Sequence, residues 1–234
     1  MALPSPGFLA GGYIPLMRRH LQKFGSRLAL GLALVTALTG CLKLDIDGKV
    51  RTDTKIDGKM IVGFSDQMLD LMGSLDDSGK GKSKGDLIKE LQKPTGKLPA
   101  GVTSKGYRKN GFVGQEITFK GQDASKVLEL GNDTTSKAGG STGNATDNKS
   151  TLSITKVGGK MILKGKLDMG GDTGTDSSGL DLGSMMKTMK PEMRIRFTFP
   201  GTVIKSNGKV SGKSVTWVPV LGKNLTMTAE ANAS

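Results

Sequence analysis

The sequence predicts an α+β domain in which paired strands form an antiparallel sheet and a few short helices are interspersed. Three observations support this class. Apolar and polar residues alternate in many short segments, glycine supplies 35 of the 234 residues, and aromatic residues make up only 4%. Strands and helices do not alternate regularly, which argues against a doubly wound parallel fold. We therefore predict one domain with strands in pairs and glycine-rich loops.

The first predicted strands cover 42–46 and 56–62, where apolar residues alternate with charged or small ones. An Asp-Gly pair, which favours a tight turn, occurs in both segments. A helix is predicted from Asp66, a residue type that suits the N-cap position. The stretch 79–85, which holds only glycine, lysine and serine, is expected to end this helix.

The middle of the chain predicts a short helix, a hairpin and another helix. These elements cover 86–92, 102–119 and 123–130, with the hairpin turn at Asn110-Gly111 and Asp123 as the cap of the last helix. Residues 131–149 contain almost no apolar side chain. They cannot offset the entropy of ordering, so they predict a flexible loop.

The last third of the chain predicts further strands around one helix. A hairpin over 152–167 turns at Gly158-Gly159, a second glycine-rich loop covers 170–179, and a Met-rich helix covers 180–190. The final strands are predicted over 193–199, 202–205, 213–219 and 225–231, the last of them at a sheet edge.

The N-terminal segment has the pattern of a bacterial lipoprotein signal peptide. Basic residues precede the apolar run Leu28–Leu38, which is too short to be a good membrane-spanning helix. The run ends in Leu38-Thr39-Gly40-Cys41, which resembles the lipobox Leu-[Ala/Ser/Thr]-[Gly/Ala]-Cys. In a lipobox the cysteine thiol receives diacylglycerol and the signal peptidase cuts before it. We predict cleavage between Gly40 and Cys41, and a diacylglyceryl cysteine that carries fatty acids such as palmitate.

Residues 1–40 are accordingly interpreted as a signal peptide. Residues 1–16 carry no charge, and Met17 fits a signal-peptide start better than Met1, so an upstream misassigned start stays open. The alternative for Cys41 is an ordinary buried cysteine after a core helix. Several acyl chains form a durable anchor. The mature protein is expected on the extracytoplasmic face of the cell membrane, held there by its lipid.

Composition and charge exclude several classes of function. The single His is His20 and the single Cys is Cys41, so triad, papain-type and zinc chemistry cannot be assembled downstream. We expect no enzyme, cofactor or metal, although Asp76-Asp77 stays open as an acid/base pair. After residues 1–40 are removed, 30 basic and 21 acidic side chains give a charge of +9. Outside the cytoplasm this charge indicates anionic membrane or envelope surfaces, and nucleic acid is not expected as a partner.

The chain from the cysteine onward resembles a known family. A strand starts almost at the lipobox cysteine, and the tail contains Phe199-Pro200-Gly201-Thr202-Val203, Asn207-Gly208, Val215-Thr216-Trp217, Gly222 and Leu225. Over most of residues 41–231 these features are similar to the LppM family of actinobacterial envelope lipoproteins. The resemblance implies an exported α+β domain associated with envelope phospholipids or glycolipids. Such proteins often carry a C-terminal transmembrane helix, but nothing after Trp217 is long or apolar enough for one.

Two groups of residues are candidates for lipid contact. Methionine adapts to irregular cavities, so acyl chains are expected near Met68, Leu69, Met72, Met185, Met186 and Met189, with ordinary core packing as the alternative. Anionic head groups are expected near Lys80, Lys82 and Lys84, with a solvated loop as the alternative. The predicted function is a lipid-anchored binding module that holds or senses an anionic envelope lipid or glycolipid. The alternative is a structural or assembly lipoprotein that presents a protein-binding surface and has no small ligand.

Overall fold

The computed structural model of the chain describes residues 40–75, 83–94, 98–137, 150–169 and 191–233. Within them it contains eleven strands and three helices, which confirms the predicted α+β class. In chain order the strands are β1 (Leu42–Val50), β2 (Ile56–Ser65), β3 (Val102–Lys109), β4 (Phe112–Gln122), β5 (Thr151–Val157), β6 (Lys160–Leu167), β7 (Glu192–Thr198), β8 (Val203–Ser206), β9 (Lys209–Ser211), β10 (Ser214–Trp217) and β11 (Leu225–Asn232). The helices are α1 (Asp66–Leu75), α2 (Lys84–Gln92) and α3 (Ala124–Lys137).

The strands form two sheets. The larger has seven strands in the order β3-β4-β2-β1-β7-β10-β9, and the smaller has four in the order β5-β6-β11-β8. Neighbouring strands are antiparallel, as predicted, except that β1 and β7 run parallel. A parallel pair needs a long crossover connection, and here 141 residues separate the end of β1 from the start of β7.

The two sheets share one hydrophobic core. Ile46 and Phe197 of the seven-stranded sheet and Met161 and Met227 of the four-stranded sheet are buried in the same cluster, together with Val127 of α3. The four-stranded sheet and α3 therefore cover the inner face of the seven-stranded sheet. Its opposite face, which we call the outer face, carries the charged residues that alternate with the core residues of β1 and β7.

Helices α1 and α2 bury a second, smaller cluster against the seven-stranded sheet. Leu69 of α1, Leu91 of α2 and Val113 of β4 are fully buried there, and Phe64 and Ile88 pack against them. This small cluster lies near the ends of β2 and β4 that are closest to Cys41, since Ser65 and Phe112 are paired at that end. It is separate from the main core.

The two hairpins predicted from Asn-Gly and Gly-Gly turns are confirmed as β3–β4 and β5–β6. The Asp-Gly pairs at 47–48 and 57–58 do not form the turns that the sequence predicted: they lie inside β1 and β2, where Gly48 pairs with Gly58 and the close approach of the strands leaves no room for a Cβ on Gly58, and the connection is at 51–55. Three further details differ from the predictions. The N-cap of α1 is Ser65, whose Oγ accepts the Met68 N–H at 3.1 Å, and Asp66 is the first helical residue. Residues 131–137, which were predicted to be part of a flexible loop, continue helix α3. Each residue added to a formed helix gains a backbone hydrogen bond. Strand β11 lies inside the small sheet between β6 and β8, where the sequence predicted an edge.

The predicted glycine-rich loop at 170–179 and the predicted helix at 180–190 lie outside the described residues, as does 138–149. The signal segment up to residue 39 is also outside them. Among the helices of the described part of the chain, none has the length and apolar character needed to cross a membrane.

Candidate lipid-attachment site

The predicted lipobox cysteine lies directly at the edge of the folded domain. Cys41 immediately precedes β1, and its carbonyl oxygen accepts the Ser65 N–H at 2.9 Å. The residue is 1% exposed, so the cysteine is held by the sheet. Burial raises the pKa of the Cys41 thiol, and a side-chain hydrogen bond with Ser65 lowers it by less. The folded domain therefore favours the protonated thiol, which is the unreactive form.

A cavity of about 320 Å³ opens beside this cysteine. Its walls come from the end of β2, the start of α1, the β3–β4 turn and the start of β7. The lining residues are Gly40, Ser65, Asp66, Gln67, Asn110, Gly111, Phe112 and Glu192. Gly40, the predicted last residue of the signal peptide, is part of this wall, so cleavage before Cys41 would widen the opening.

Lys43, the basic residue nearest to the predicted anchor, is fixed by its neighbours. Its Nζ lies 2.5 Å from Glu192 Oε2 and 5.0 Å from the centre of the Phe112 ring. Its side chain is only 14% exposed. This lysine therefore joins β1 to β7 beside the cavity, and it is not free to contact a membrane surface.

The acidic residue at the start of α1 faces two basic side chains. Asp66 Oδ1 is buried without a hydrogen bond, and it lies 3.8 Å from Lys84 Nζ and 3.9 Å from Arg108 Nη2. Lys84 is also 2.8 Å from Asp70 of α1. Lys84 was predicted to face anionic head groups. It lies in the first turn of α2 and links α2 to α1, whereas Lys80 and Lys82 lie outside the described residues.

The predicted acyl-chain residues are only partly described. Leu69 is buried in the small cluster under α1 and α2, and Met68 next to it is half-buried. Met72 belongs to the same helix. The other three predicted residues, Met185, Met186 and Met189, lie outside the described part of the chain. The half of the predicted lipid site that is described thus lies on α1, which begins at the wall of the cavity beside Cys41.

A row of ion pairs follows the outer face of the seven-stranded sheet away from the cysteine. The parallel register sets Asp45 opposite Arg194 and Asp47 opposite Arg196. Arg194 forms two hydrogen bonds with Asp45, at 2.8 and 3.0 Å, and Arg196 contacts both carboxylate oxygens of Asp47. The bond to Asp47 and its negative charge raise the pKa of the Arg196 guanidinium. The charges of these four residues are therefore neutralised pair by pair.

Sequence reasoning singled out Cys41, which stays a prediction as an attachment site, and it did not point to the residues that surround this cysteine. The Asn110-Gly111 turn signalled where Phe112 begins its strand. Nothing in the local sequence signalled that Glu192 would meet Lys43, because parallel pairing between distant segments leaves no periodic pattern. In the described residues, no group of three or more His, Cys, Asp or Glu side chains is arranged to hold a metal ion.

The fold defines a class of protein, an α+β domain in which two sheets share one core, and the family match adds a lipoprotein-type envelope context. The sequence model of the LppM domain matches residues 43–233. The chain belongs to the LppM domain family. The matched region begins two residues after Cys41 and contains all the described strands from the second residue of β1 onward.

One solved structure is similar to the chain. It is the NMR structure of the folded domain of LppM from Mycobacterium tuberculosis, with 18% sequence identity and a TM-score of 0.46. The similarity covers 83% of this chain and 91% of that domain. No curated protein matches the chain.

Proposed function

We propose that the protein is a lipid-anchored module on the extracytoplasmic face of the membrane that holds or senses an anionic envelope lipid or glycolipid. The observation that carries this proposal is the position of Cys41. Lipid on its thiol would be attached one residue before β1, with no linker, and the Ser65 N–H bond ties this residue to the neighbouring strand. Membership of the LppM domain family supports the envelope context.

A linkerless anchor would hold one end of the domain at the bilayer. That end comprises the start of β1, the end of β2, the β3–β4 turn and the start of β7. The cavity beside Cys41 would then open toward the lipid head groups, and α1 would begin beside it. A lipid drawn partly out of the bilayer could enter here without crossing the main core.

The small cluster under α1 and α2 is the part of the described chain that best suits an acyl chain. It contains three fully buried side chains, so it is much smaller than the main core, and the two helices that cover it are nine and ten residues long. Short helices over a small apolar cluster cost little to displace. Lys80 and Lys82 belong to the connection between these helices and would meet the head group.

Native mass spectrometry of protein extracted gently from membranes tests the proposal. We expect a population with added mass equal to a phospholipid or glycolipid, beyond the covalent lipid on Cys41. Met68→Gln should reduce that population because it makes the half-buried face of α1 polar. Met169→Gln is the matched control, since Met169 is also half-buried but packs against the main core.

A wild-type protein without added lipid, under conditions that preserve known lipid carriers, would contradict the lipid-binding part of the proposal. The alternative would then be a structural or assembly lipoprotein. Val218 and Val220, which are 65% and 53% exposed in the segment after β10, offer such a protein an apolar contact surface.

A further inference from the structure

The four-stranded sheet exposes a face rich in lysine. Met161 and Leu163 of β6 are buried in the core, so alternate residues of this strand point to the opposite side. The exposed residues there are Lys160, Lys164 and Lys166. Along a strand, Lys164 and Lys166 are spaced by about 7 Å. We call this surface the lysine face.

Hydroxyl groups flank these lysines on both sides. The register of the sheet pairs Lys164 with Ser153 of β5 and Thr228 of β11, and pairs Lys166 with Thr151 and Thr226. All four of these residues are exposed. The four strands contain no aromatic residue that could stack on a sugar or a base. The face therefore suits recognition by charge and hydrogen bonding.

The charge of the lysine face is largely unpaired, unlike the row of Asp45, Asp47, Arg194 and Arg196 on the seven-stranded sheet. Four lysines, Lys160, Lys164, Lys166 and Lys205, and one acidic residue, Glu230, lie on this side of the four strands. Glu230 Oε1 lies 2.6 Å from Lys160 Nζ. No ion pair within the described ranges involves Lys164, Lys166 or Lys205, so these positive charges are available to a partner.

The strands of the small sheet run along the direction that leads away from Cys41. Glu192 marks the end of β7 near the cysteine, since β7 is parallel to β1. At the opposite end, just after β7, Gly201 lies against the backbone of Asn232, and Asn232 is paired with Lys160. Lys160, at the start of the row, therefore lies near the end of β7 that is opposite to the anchor.

The lysine face also lies on the far side of the domain from the sheet that contains Cys41. Packed sheets are separated by about 10 Å, and the lysine side chains project beyond the second sheet. If the bilayer lay flat against this face, an anchor without a linker would be about 10 Å or more too far away to insert. This step rests on the lipid attachment proposed above.

We propose that the lysine face binds a linear polyanion of the envelope, a polymer that carries phosphate or carboxylate groups at repeated positions. Lys164 and Lys166 would contact successive anionic groups along β6, and the hydroxyls of Thr151, Thr226 and Thr228 beside them would donate hydrogen bonds to the same oxygens. The anchor holds the protein at the membrane while this face points along the envelope, so the protein would link the membrane to the polymer.

Binding to simple polyanions tests this proposal. The lipidated protein is placed in nanodiscs of zwitterionic phosphatidylcholine and titrated at low salt with long-chain polyphosphate and with polyglutamate, and dextran serves as the uncharged control. The test variant is K164Q/K166Q. The matched control is K49Q/K120Q, which removes the same charge from exposed lysines of the seven-stranded sheet that have no ion pair in the described part of the chain.

Wild-type protein is expected to bind at least one polyanion and not dextran, with an affinity that falls steeply as salt rises. K164Q/K166Q should lose about tenfold or more in affinity and show a shallower salt dependence, and K49Q/K120Q should lose less than about twofold. Thermal unfolding of both variants checks that the fold is kept.

Three outcomes would overturn the proposal. Wild type could fail to bind either polyanion at low salt. Both variants could lose affinity equally, which would mean that net charge alone drives binding. The lysines could instead be needed for binding to anionic vesicles and not to the polymers, which would make a bilayer the partner. None of these outcomes depends on the lipid occupancy measured by native mass spectrometry, so the two proposals can fail separately.

Discussion

Asn207 joins the two sheets through a single side chain. Its Oδ1 accepts the Trp217 indole N–H at 2.8 Å and the Thr228 backbone N–H at 2.9 Å, and its Nδ2 donates to the Thr226 carbonyl at 2.8 Å. Trp217 belongs to the seven-stranded sheet, and Thr226 and Thr228 belong to the four-stranded sheet. An asparagine in the two-residue connection between β8 and β9 thus joins β10 of one sheet to β11 of the other.

We predict that Asn207→Ala lowers the free energy of unfolding by about 2 kcal/mol or more, because two donors lose their acceptor. Asn224→Ala is the control, since Asn224 is exposed and has no hydrogen bond to the described residues. Urea unfolding of both variants measures the difference. Equal stability of the two would contradict the bridging role of Asn207.

The Cys41 thiol provides a pH-dependent prediction. Burial raises its pKa, so the folded state favours the protonated thiol. The protonated thiol therefore contributes to the stability of the fold at pH values up to the ordinary pKa of a thiol. This contribution is lost as the pH rises through the raised pKa of the folded state. Near pH 8, folded unlipidated protein that retains Gly40 should therefore be alkylated more slowly than the same protein unfolded in urea. The alkylation rate of the folded protein should continue to rise with pH well above pH 8. Equal rates in the folded and unfolded protein would contradict the burial of the thiol.

At the residue scale, sequence reasoning could single out a residue with a strict chemical requirement, but it missed those that act through backbone geometry and distant contacts. Cys41 was identifiable because lipid attachment needs a thiol after small residues. Ser65 was missed as a helix cap because the adjacent Asp66 is an equally good capping type, and only the backbone geometry decides between them. Asn207 was noticed in a turn, but its bonds depend on strands that are distant in sequence.

At the scale of secondary-structure elements, the segment from β8 to β10 contains a close contact between the two sheets. A Cβ atom on Gly208 would lie 2.7 Å from both Trp217 Nε1 and Val215 Cγ1. Glycine is required here because Trp217 and Val215 are buried and cannot move aside. The same tight approach brings the edges of the two sheets together.

Two glycine substitutions should have opposite effects on stability. Gly208→Ala is expected to destabilise the protein by about 1–3 kcal/mol through overpacking. Gly85→Ala lies in the first turn of α2, where the nearest atom to the new Cβ, Ser83 Oγ, is 3.6 Å away. It should stabilise the protein by up to about 1 kcal/mol, because alanine favours helix. Thermal unfolding of the two variants compares them directly, and a stable Gly208→Ala variant would contradict the tight contact.

Elements with a local signal were predictable, and their partners in the sheets were not. The Asn110-Gly111 and Gly158-Gly159 turns identified two hairpins, because both turns need backbone conformations that glycine adopts easily. Strand β9 was missed because it has only three residues, and its single apolar residue, Val210, is exposed. The parallel pairing of β1 with β7 and the division into two sheets depend on contacts between distant segments, which hydrophobic periodicity does not report.

At the scale of the whole molecule, the arrangement separates two kinds of charged surface. Ion pairs neutralise the row of Asp45, Asp47, Arg194 and Arg196 on the outer face of the seven-stranded sheet, whereas the lysine face of the four-stranded sheet keeps most of its charge unpaired within the described ranges. The predicted anchor lies at one end of the seven-stranded sheet. The protein would therefore meet the membrane with one end and leave the lysine face open to the envelope.

The central claim is that Cys41 is the lipidated first residue of the mature protein, and one measurement tests it directly. Cells that express the protein are labelled with a palmitate analogue, and the intact mass and the N-terminal residue of the mature protein are determined. We predict that the wild type carries the label and begins at Cys41, whereas Cys41→Ser carries no label because thioether formation needs a thiol. An unlabelled wild-type protein that retains residues 1–40 would contradict the claim and reopen intracellular partners for its positive charge.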